Sequence, residues 1–318
     1  MPDKIYLSVV IPVYNEEDNI AELSSRLTKV CQGLGKGYEI LYVDDGSKDG
    51  TLEAIKNAKQ SDQNIYALSL AKNSGKSWAY AAGFNAARGD IIVTMDGDLQ
   101  DRPEQIPDFL EKIEQGYDLV TGWKYTGKGK RSMSSKLFNR LVRALTKLEI
   151  NDTNCPFKAY RADIVSTREE NKKVGLWIYG NLYRFIPAMA FWKGYRVTEI
   201  PVENDPRRFG QTKYGSTRFV GGFLDLMTIV FITQYIKRPL YFFAKIGLFL
   251  MACGFLLDLA IALYGWLIEG RVGHFALLIL GLISIVIGVQ FLFTGLLAEM
   301  IVRLHQEQRR DIPIFKKY

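Results

Sequence analysis

Asp96 and Asp98, parted only by Gly97 and preceded by the apolar run Ile91-Ile92-Val93-Thr94, put two carboxylates at the mouth of a buried strand. Hard divalent cations take oxygen ligands and are commonly held by one or two carboxylates together with the phosphates of a substrate. The pair therefore suits a site where a bound diphosphate must depart. A second acidic pair, Asp44-Asp45, ends the run 38–43 and is followed by Gly46-Ser47. Other reactive groups are scarce. The chain has only two histidines, His274 and His305, so a Ser-His or Cys-His nucleophile has almost no material. Its three cysteines, Cys31, Cys155 and Cys253, are odd in number and far apart, which argues against a disulfide framework and against zinc spacing. Gly75-Lys76-Ser77 imitates the end of a P-loop, but Leu70 stands where that loop needs its first glycine, which argues against a nucleoside triphosphatase.

Three strands have to present these groups. Residues 8–13, 38–43 and 91–94 each read as a short apolar run, and each ends in polar residues: Tyr14-Asn15-Glu16-Glu17, Asp44-Asp45 and the Asp96 pair. Helical patterns follow the first two, through Leu27 and from Thr51, and Asn15 is placed to cap the first. This alternation predicts an α/β fold. In open sheets of that class ligands sit outside the carboxyl ends of the strands, facing backbone N–H groups of the following helices.

Val10-Ile11-Pro12-Val13-Tyr14-Asn15-Glu16, Val43-Asp44-Asp45-Gly46-Ser47, Asn73-x-Gly75-Lys76 and Asp96-Gly97-Asp98-Leu99-Gln100-Asp101 resemble the inverting family 2 glycosyltransferases of GT-A fold. Within that family the chain is similar to the polyprenyl-phosphate glycosyltransferases, relatives of dolichol-phosphate mannose synthase and of bacterial undecaprenyl-phosphate glycosyltransferases. Arg207-Arg208-Phe209-Gly210-Gln211-Thr212-Lys213-Tyr214 resembles their Arg-x-x-Gly-x-Ser-Lys element, and residues 152–158 their acceptor segment. The likeness covers roughly residues 5–245 by motif.

The resemblance implies a Rossmann-like, mostly parallel GT-A domain over residues 1–215 and transfer from a nucleotide sugar, a UDP-hexose favoured, to a polyprenyl phosphate. It implies that Pro12, Tyr14, Glu16 and Asp44 cradle the nucleoside. Asn73 and Lys76 would wall the nucleotide or sugar. Asp96 and Asp98 would hold Mg2+ or Mn2+ on the diphosphate, with Gln100 as a further ligand. Arg131, Arg207 and Lys213 would clamp acceptor or donor phosphate, since guanidinium forks bind phosphate oxygens bidentately. Asp45, Gly97 and Lys124 complete the substrate-binding set. Some relatives carry an aspartate just before the Phe-Arg of the acceptor segment, where this chain has Pro156 before Phe157-Lys158; others carry it earlier, matching Asp152, a base or an electrostatic positioner. Related enzymes also suggest a homo-oligomer. Two other readings compete. A processive polysaccharide synthase would carry a Gln-x-x-Arg-Trp element and more spans, and neither is found; a non-catalytic membrane scaffold would be expected to have lost one of the paired acids.

The end of the chain is made for lipid. Residues 275–298 carry no charge and 246–268 carry only Asp258, and a hydrocarbon core needs about 20 apolar residues to cross. Asp258 reads either as functional or as a polar packing contact. Lys237, Arg238 and Lys245 precede the first span and Arg303, Arg309, Arg310, Lys316 and Lys317 follow the second, while the connector carries only Arg271. The positive-inside rule then predicts a multi-pass protein of the inner or plasma membrane with its catalytic domain and the tail 305–318 in the cytoplasm. No signal peptide is visible at the start. Residues 216–241 read as an interfacial juxtamembrane segment, and 132–148 as a basic amphipathic helix that lies on anionic headgroups or packs its leucines on the sheet. The net charge of +7 is concentrated near these segments and no nucleic-acid motif accompanies it, so the partners are membrane and phosphate ligands rather than nucleic acid.

Overall fold

The runs read as strands pair, and most of them pair in parallel. In chain order the first of two compact units, residues 1–229, runs β1 (Leu7–Val13), α1 (Glu17–Gly33), β2 (Tyr38–Asp44), α2 (Thr51–Ser61), β3 (Ile65–Ser69), α3 (Lys76–Ala86), β4 (Ile91–Thr94), α4 (Ile106–Glu114), β5 (Leu119–Lys124), β6 (Lys158–Arg161), α5 (Ala162–Val165), α6 (Ile186–Trp192) and β7 (Val197–Val202). The structure, a computed structural model, describes residues 4–124, 143, 148–165, 182–205, 227–228, 231, 235, 238–269 and 274–308. Its strands form one sheet in the order β3-β2-β1-β4-β6-β5-β7. Only β6 runs antiparallel to its neighbours, β4 and β5. The chain winds outward from β1 through β2 to β3, then returns to place β4 on the other edge of β1. The crevice at that reversal, outside the ends of β1 and β4, is where such sheets take ligands.

Nearly every residue of β1, β2 and β4 is buried, as strands covered on both faces require. The two-residue period decides which side chain meets which helix. Leu7, Val9, Ile11 and Val13 join Ile20, Leu23 and Leu27 of α1 and Phe109 of α4 in one core. Val10 and Val43 instead meet α3 at Gly83, where an added Cβ would lie 2.3 Å from Val10 Cγ1, so only a residue without a side chain lets α3 lie this close. At the end of the sheet remote from the acidic mouths, buried Glu39 accepts hydrogen bonds from Ser8 Oγ (2.6 Å), Arg88 N (2.6 Å) and Arg88 Nε (2.8 Å), locking β1, β2 and the approach to β4 together.

The first helix begins later than expected, and Asn15 does not cap it. Asn15 has φ +52° and its Oδ1 accepts from Lys48 N at 2.9 Å, tying the β1 loop to the β2 loop. Glu16 occupies the cap position without a side-chain cap bond, and the helix continues past Leu27 to Gly33.

The second unit, residues 230–318, holds α7 (Pro239–Tyr264) and α8 (Phe275–Gln308). Both are long and apolar enough to cross a membrane, with an 18-residue stretch of mean hydropathy 2.4 within Pro239–Leu267 and one of 2.6 within Phe275–Val302. They lie antiparallel with paired glycines at the seam: a Cβ on Gly254 would meet Gly281 O at 2.5 Å, and one on Gly247 would meet Gly288 O at 2.6 Å. Small residues let helix backbones approach in lipid, where packing replaces the hydrophobic drive. Asp258 lies over Gly281 at this seam, and its Oδ1 accepts no hydrogen bond among the described residues. Leu248, Phe249, Phe255, Ile279 and Leu282 are exposed, a surface suited to acyl chains rather than water. Arg131, Arg207 and Lys213, most of the stretches 132–148 and 216–241, and residues 309–318 lie outside the described residues.

Candidate active site

Three strand ends build the site. A cavity of about 260 Å³ opens at the reversal between β1 and β4 and is lined by Pro12, Tyr14 and Glu16 after β1, Asp45 after β2, Asn73 and Lys76 at the start of α3, and Asp96, Gly97 and Asp98 after β4. Nine residues singled out from the sequence thus meet in one place. The loops are fixed by their own carboxylates. Asp45 accepts from Ser74 N (2.7 Å) and Gly75 N (2.9 Å), which pins the start of α3; Gly75 has φ +93°, a conformation that favours glycine. Asp44 is buried behind the lining, accepting from Ser47 N (2.9 Å) and Ser69 Oγ (3.0 Å). Gly97 packs its backbone against β1, where a Cβ would lie 2.7 Å from Val13 Cγ1.

After β4 the backbone turns through Leu99, a buried leucine with φ +59°, an uncommon state held by its surroundings. Gln100 N donates to Asp98 Oδ1 (3.2 Å) and Gln100 O accepts from Asp205 N (2.9 Å). Beneath this turn lies Asp101, 1% exposed, whose Oδ2 accepts from Asp96 N (3.3 Å). Its Oδ1 accepts no hydrogen bond among the described residues and stands 3.6 Å from Lys124 Nζ. Burial pushes the Asp101 carboxyl up to about 6 against the pull of Lys124. Burial works against the charge of Lys124, but Asp101 together with Asp96 and Asp98 outweighs it and the ammonium is held above its ordinary range.

Asp96 has a cation already: Lys76 Nζ donates to its Oδ1. Asp152 accepts from Asn154 N (2.9 Å) and lies among the charges that act on Lys158. Lys158, on β6 between Thr94 and Thr121, is 2% exposed, and its ammonium donates to Cys155 O. Burial brings its pKa down to about 8, partly offset by Asp152 and Asp96. Neither the buried Asp101 nor Lys158 was expected among the site residues. The signals were a third acid after the Asp96 pair and a single lysine inside the apolar stretch 155–160.

Among the described residues no cluster of three or more His, Cys, Asp or Glu forms a metal cage. A hard cation that shares its shell with water and substrate phosphates needs only one or two carboxylates, and Asp96 and Asp98 both face the cavity. The donor set fits such a cation.

Residues 8–168 match the model of glycosyl transferase family 2. The chain belongs to that family. Undecaprenyl-phosphate 4-deoxy-4-formamido-L-arabinose transferase of Salmonella paratyphi B is 35% identical to it over 312 residues, 95% of this chain and 90% of that protein, and the protein of that name from Salmonella newport matches equally. Among solved structures, glucosyl-3-phosphoglycerate synthase from Mycobacterium tuberculosis with Mn2+, uridine diphosphate and phosphoglyceric acid aligns with a TM-score of 0.55 at 17% identity, over 71% of this chain and 78% of that one. The complex with Mn2+, UDP-glucose and phosphoglyceric acid also gives 0.55, over 71% and 80%. That likeness is one of fold, and the fold of this family 2 glycosyltransferase is GT-A.

Proposed function

We propose that this family 2 enzyme transfers a sugar, with inversion, from a UDP-linked hexose to a polyprenyl phosphate at the cytoplasmic face of a membrane. The observation that carries the reading is the cavity at the sheet reversal, where Asp96 and Asp98 face the same space as Tyr14, Glu16, Asp45 and Lys76. Two apolar helices in the same chain and the names of its 35% identical relatives support a lipid acceptor.

Asp96 and Asp98, with Gln100, would hold Mg2+ or Mn2+; when bound, such a cation neutralises charge gathering on the departing diphosphate. Pro12, Tyr14, Glu16 and the loop fixed by Asp44 and Asp45 hold the nucleoside. Asn73, Lys76 and Gly97 wall the diphosphate and sugar, and Lys124 steadies the acidic turn through Asp101. Arg131, Arg207 and Lys213 bring the acceptor phosphate against that anionic donor. A phosphomonoester, with second pKa about 6, is already largely dianionic at neutral pH, so its oxygen needs no strong base. That oxygen forms a bond to the anomeric carbon from the face opposite the leaving group, and the bond from that carbon to the diphosphate oxygen breaks. Asp152 serves the acceptor end of the site as a base or an electrostatic positioner, with the buried Lys158 among the charges near it.

The chain is read as a GT-A domain over residues 1–215, an interfacial segment over 216–241, two spans over 242–304 and a basic tail over 305–318, with the connector outside. A second reading of the sugar, a 4-deoxy-4-formamido-L-arabinosyl donor, is favoured by the identity to relatives of that name along nearly the whole chain. A thermal-shift panel of UDP- and GDP-linked sugars, followed by transfer assays with the binders, tests both. A UDP-hexose that stabilises the protein and is transferred supports the first reading. Stabilisation and transfer only with the formamido-pentose donor supports the second, and GDP-sugars alone would contradict both.

A further inference from the structure

Lys76 sits in the first turn of α3 and reaches back over the cavity to Asp96 Oδ1, so one of the two carboxylates read as cation ligands already has a cation on it. The pair is sheltered, with side-chain exposures of 24% for Lys76 and 29% for Asp96. Behind the ammonium stand two aromatic faces, Tyr183 with its ring centre 5.5 Å away and Tyr80 at 5.8 Å. Those rings are 5.7 Å from each other, and Tyr80 stacks on Phe84, so the two faces are held between α3 and the short helical turn Leu182–Phe185. Ring faces attract an ammonium, which keeps Lys76 close to the cavity when it leaves the carboxylate.

We propose that Lys76 is an internal counter-cation of Asp96 which an incoming divalent cation displaces and which the donor's diphosphate then receives, making cation and nucleoside diphosphate binding depend on each other. This rests on the reading of Asp96 and Asp98 as the cation-holding pair. A partly buried carboxylate is costly without a partner, and Lys76 supplies one before any ligand arrives. A divalent cation entering alone must break that pair and then stand beside an ammonium of like sign. When a diphosphate enters with it, the ammonium has anionic oxygens to move to within the cavity it already lines. Backbone and side chain are suited to different parts of this exchange. The backbone at the head of α3 is held by the bonds from Ser74 and Gly75 to Asp45, while lysine is a compact charge on a flexible stem, able to change partners where the planar fork of arginine would tend to stay. By linkage, whatever the nucleotide does for cation affinity, the cation does for nucleotide affinity.

The test uses the full chain in nanodiscs, with Mn2+ binding followed by loss of the free-ion signal in electron paramagnetic resonance, with and without UDP. The wild type is expected to bind Mn2+ weakly alone and about tenfold or more tightly in saturating UDP, within the usual range of coupling between sites. Lys76→Met should tighten binding of Mn2+ alone by about fivefold and shrink the effect of UDP, while Lys76→Arg, whose guanidinium stays on the carboxylate, should bind Mn2+ alone no more tightly than the wild type and gain less from UDP. If Lys76→Met unfolds at lower temperature than the wild type, Lys76→Gln is read in the same way. Unchanged or weaker binding of Mn2+ alone in the neutral variants, with the UDP effect intact, overturns the proposal. Asp98→Asn separates that failure from a deeper one. If Mn2+ binds and Asp98→Asn removes it while Lys76→Met changes nothing, only the role of Lys76 falls. If no variant binds Mn2+ even with UDP, the cation-holding pair falls with it.

Discussion

A buried amine beside an acidic site is expensive, and Lys158 shows the cost. Its pKa lies at about 8, below the ordinary 10.5, because burial disfavours the charged form. The native state therefore carries a penalty that is fully present below pH 8 and is relieved as pH rises from about 8 toward 10.5, on the order of 3 kcal/mol. Lys158→Met should accordingly be more stable than the wild type at pH 7, by about 1–3 kcal/mol, and should lose the wild type's gain in melting temperature between pH 8 and 10. Transfer activity should fall, because the ammonium that acts with Asp152 is gone. Thermal unfolding across pH, set beside a transfer assay, checks both halves; a variant less stable at pH 7 and fully active would make Lys158 a structural residue. The acids at the strand ends were legible because an apolar run stopping at Asp-Gly-Asp is a local pattern. The burial of Asp101 and Lys158 was not, since it depends on β6 entering the sheet reversed between β4 and β5. Asn15 was misjudged for a similar reason: its side chain is taken by Lys48 N, 33 residues away, in preference to the helix beside it.

At the scale of elements, α3 carries more of the site than its length suggests. It brings Lys76 to Asp96 while lying on β1 and β2 through Gly83, so a methyl group at that contact should move the helix and the lysine together. Gly83→Ala is expected to cost about 1–3 kcal/mol by overpacking against Val10 and to weaken UDP binding several-fold. Gly33→Ala, at the end of α1 with nothing within 4 Å of the added carbon, should do neither. Calorimetric titration with UDP and melting curves of the two variants make the comparison, and equal effects would mean that α3 does not position the site. The strands β1, β2 and β4 and the helices α1 and α2 were readable, because core strands buried on both faces announce themselves as unbroken apolar runs, whereas β3, β5 and β7 were not read. The reversed strand β6 was not, for Lys158–Arg161 is short and pairs with partners far away in the chain.

For the whole molecule, the proposed division of labour between a sugar-nucleotide site and a lipid anchor rests on composition. All but two of the exposed large apolar side chains belong to residues 239–308, the exceptions among those described being Trp78 and Phe191. The spans should serve mainly to hold the site at the depth where a lipid phosphate emerges, raising its effective concentration. Truncation after Arg238 is expected to leave cation-dependent UDP binding largely intact, to lower transfer to long-chain polyprenyl phosphate in membranes sharply, and to spare transfer to a short, water-soluble prenyl phosphate. Calorimetry on the truncated domain checks the first outcome; a folded domain that binds no nucleotide would mean that the spans help to build the donor site. Both long apolar helices were legible from length and apolar content. The glycine seam between them was not, because only the antiparallel pairing brings Gly254 to Gly281 and Gly247 to Gly288.

The central claim, cation-dependent transfer of a sugar to a polyprenyl phosphate by the Asp96–Asp98 pair, is tested most directly by following radiolabelled sugar from its UDP donor into organic-extractable lipid. Wild type and Asp98→Asn are compared in saturating Mn2+ and in EDTA. The account predicts labelled lipid only when polyprenyl phosphate and divalent cation are both present, and a loss of about a hundredfold or more in Asp98→Asn, since removal of one hard anionic ligand withdraws several kcal/mol of charge stabilisation without changing side-chain volume. Near-wild-type labelling by Asp98→Asn, undiminished labelling in EDTA, or label entering polymer instead of lipid would contradict it.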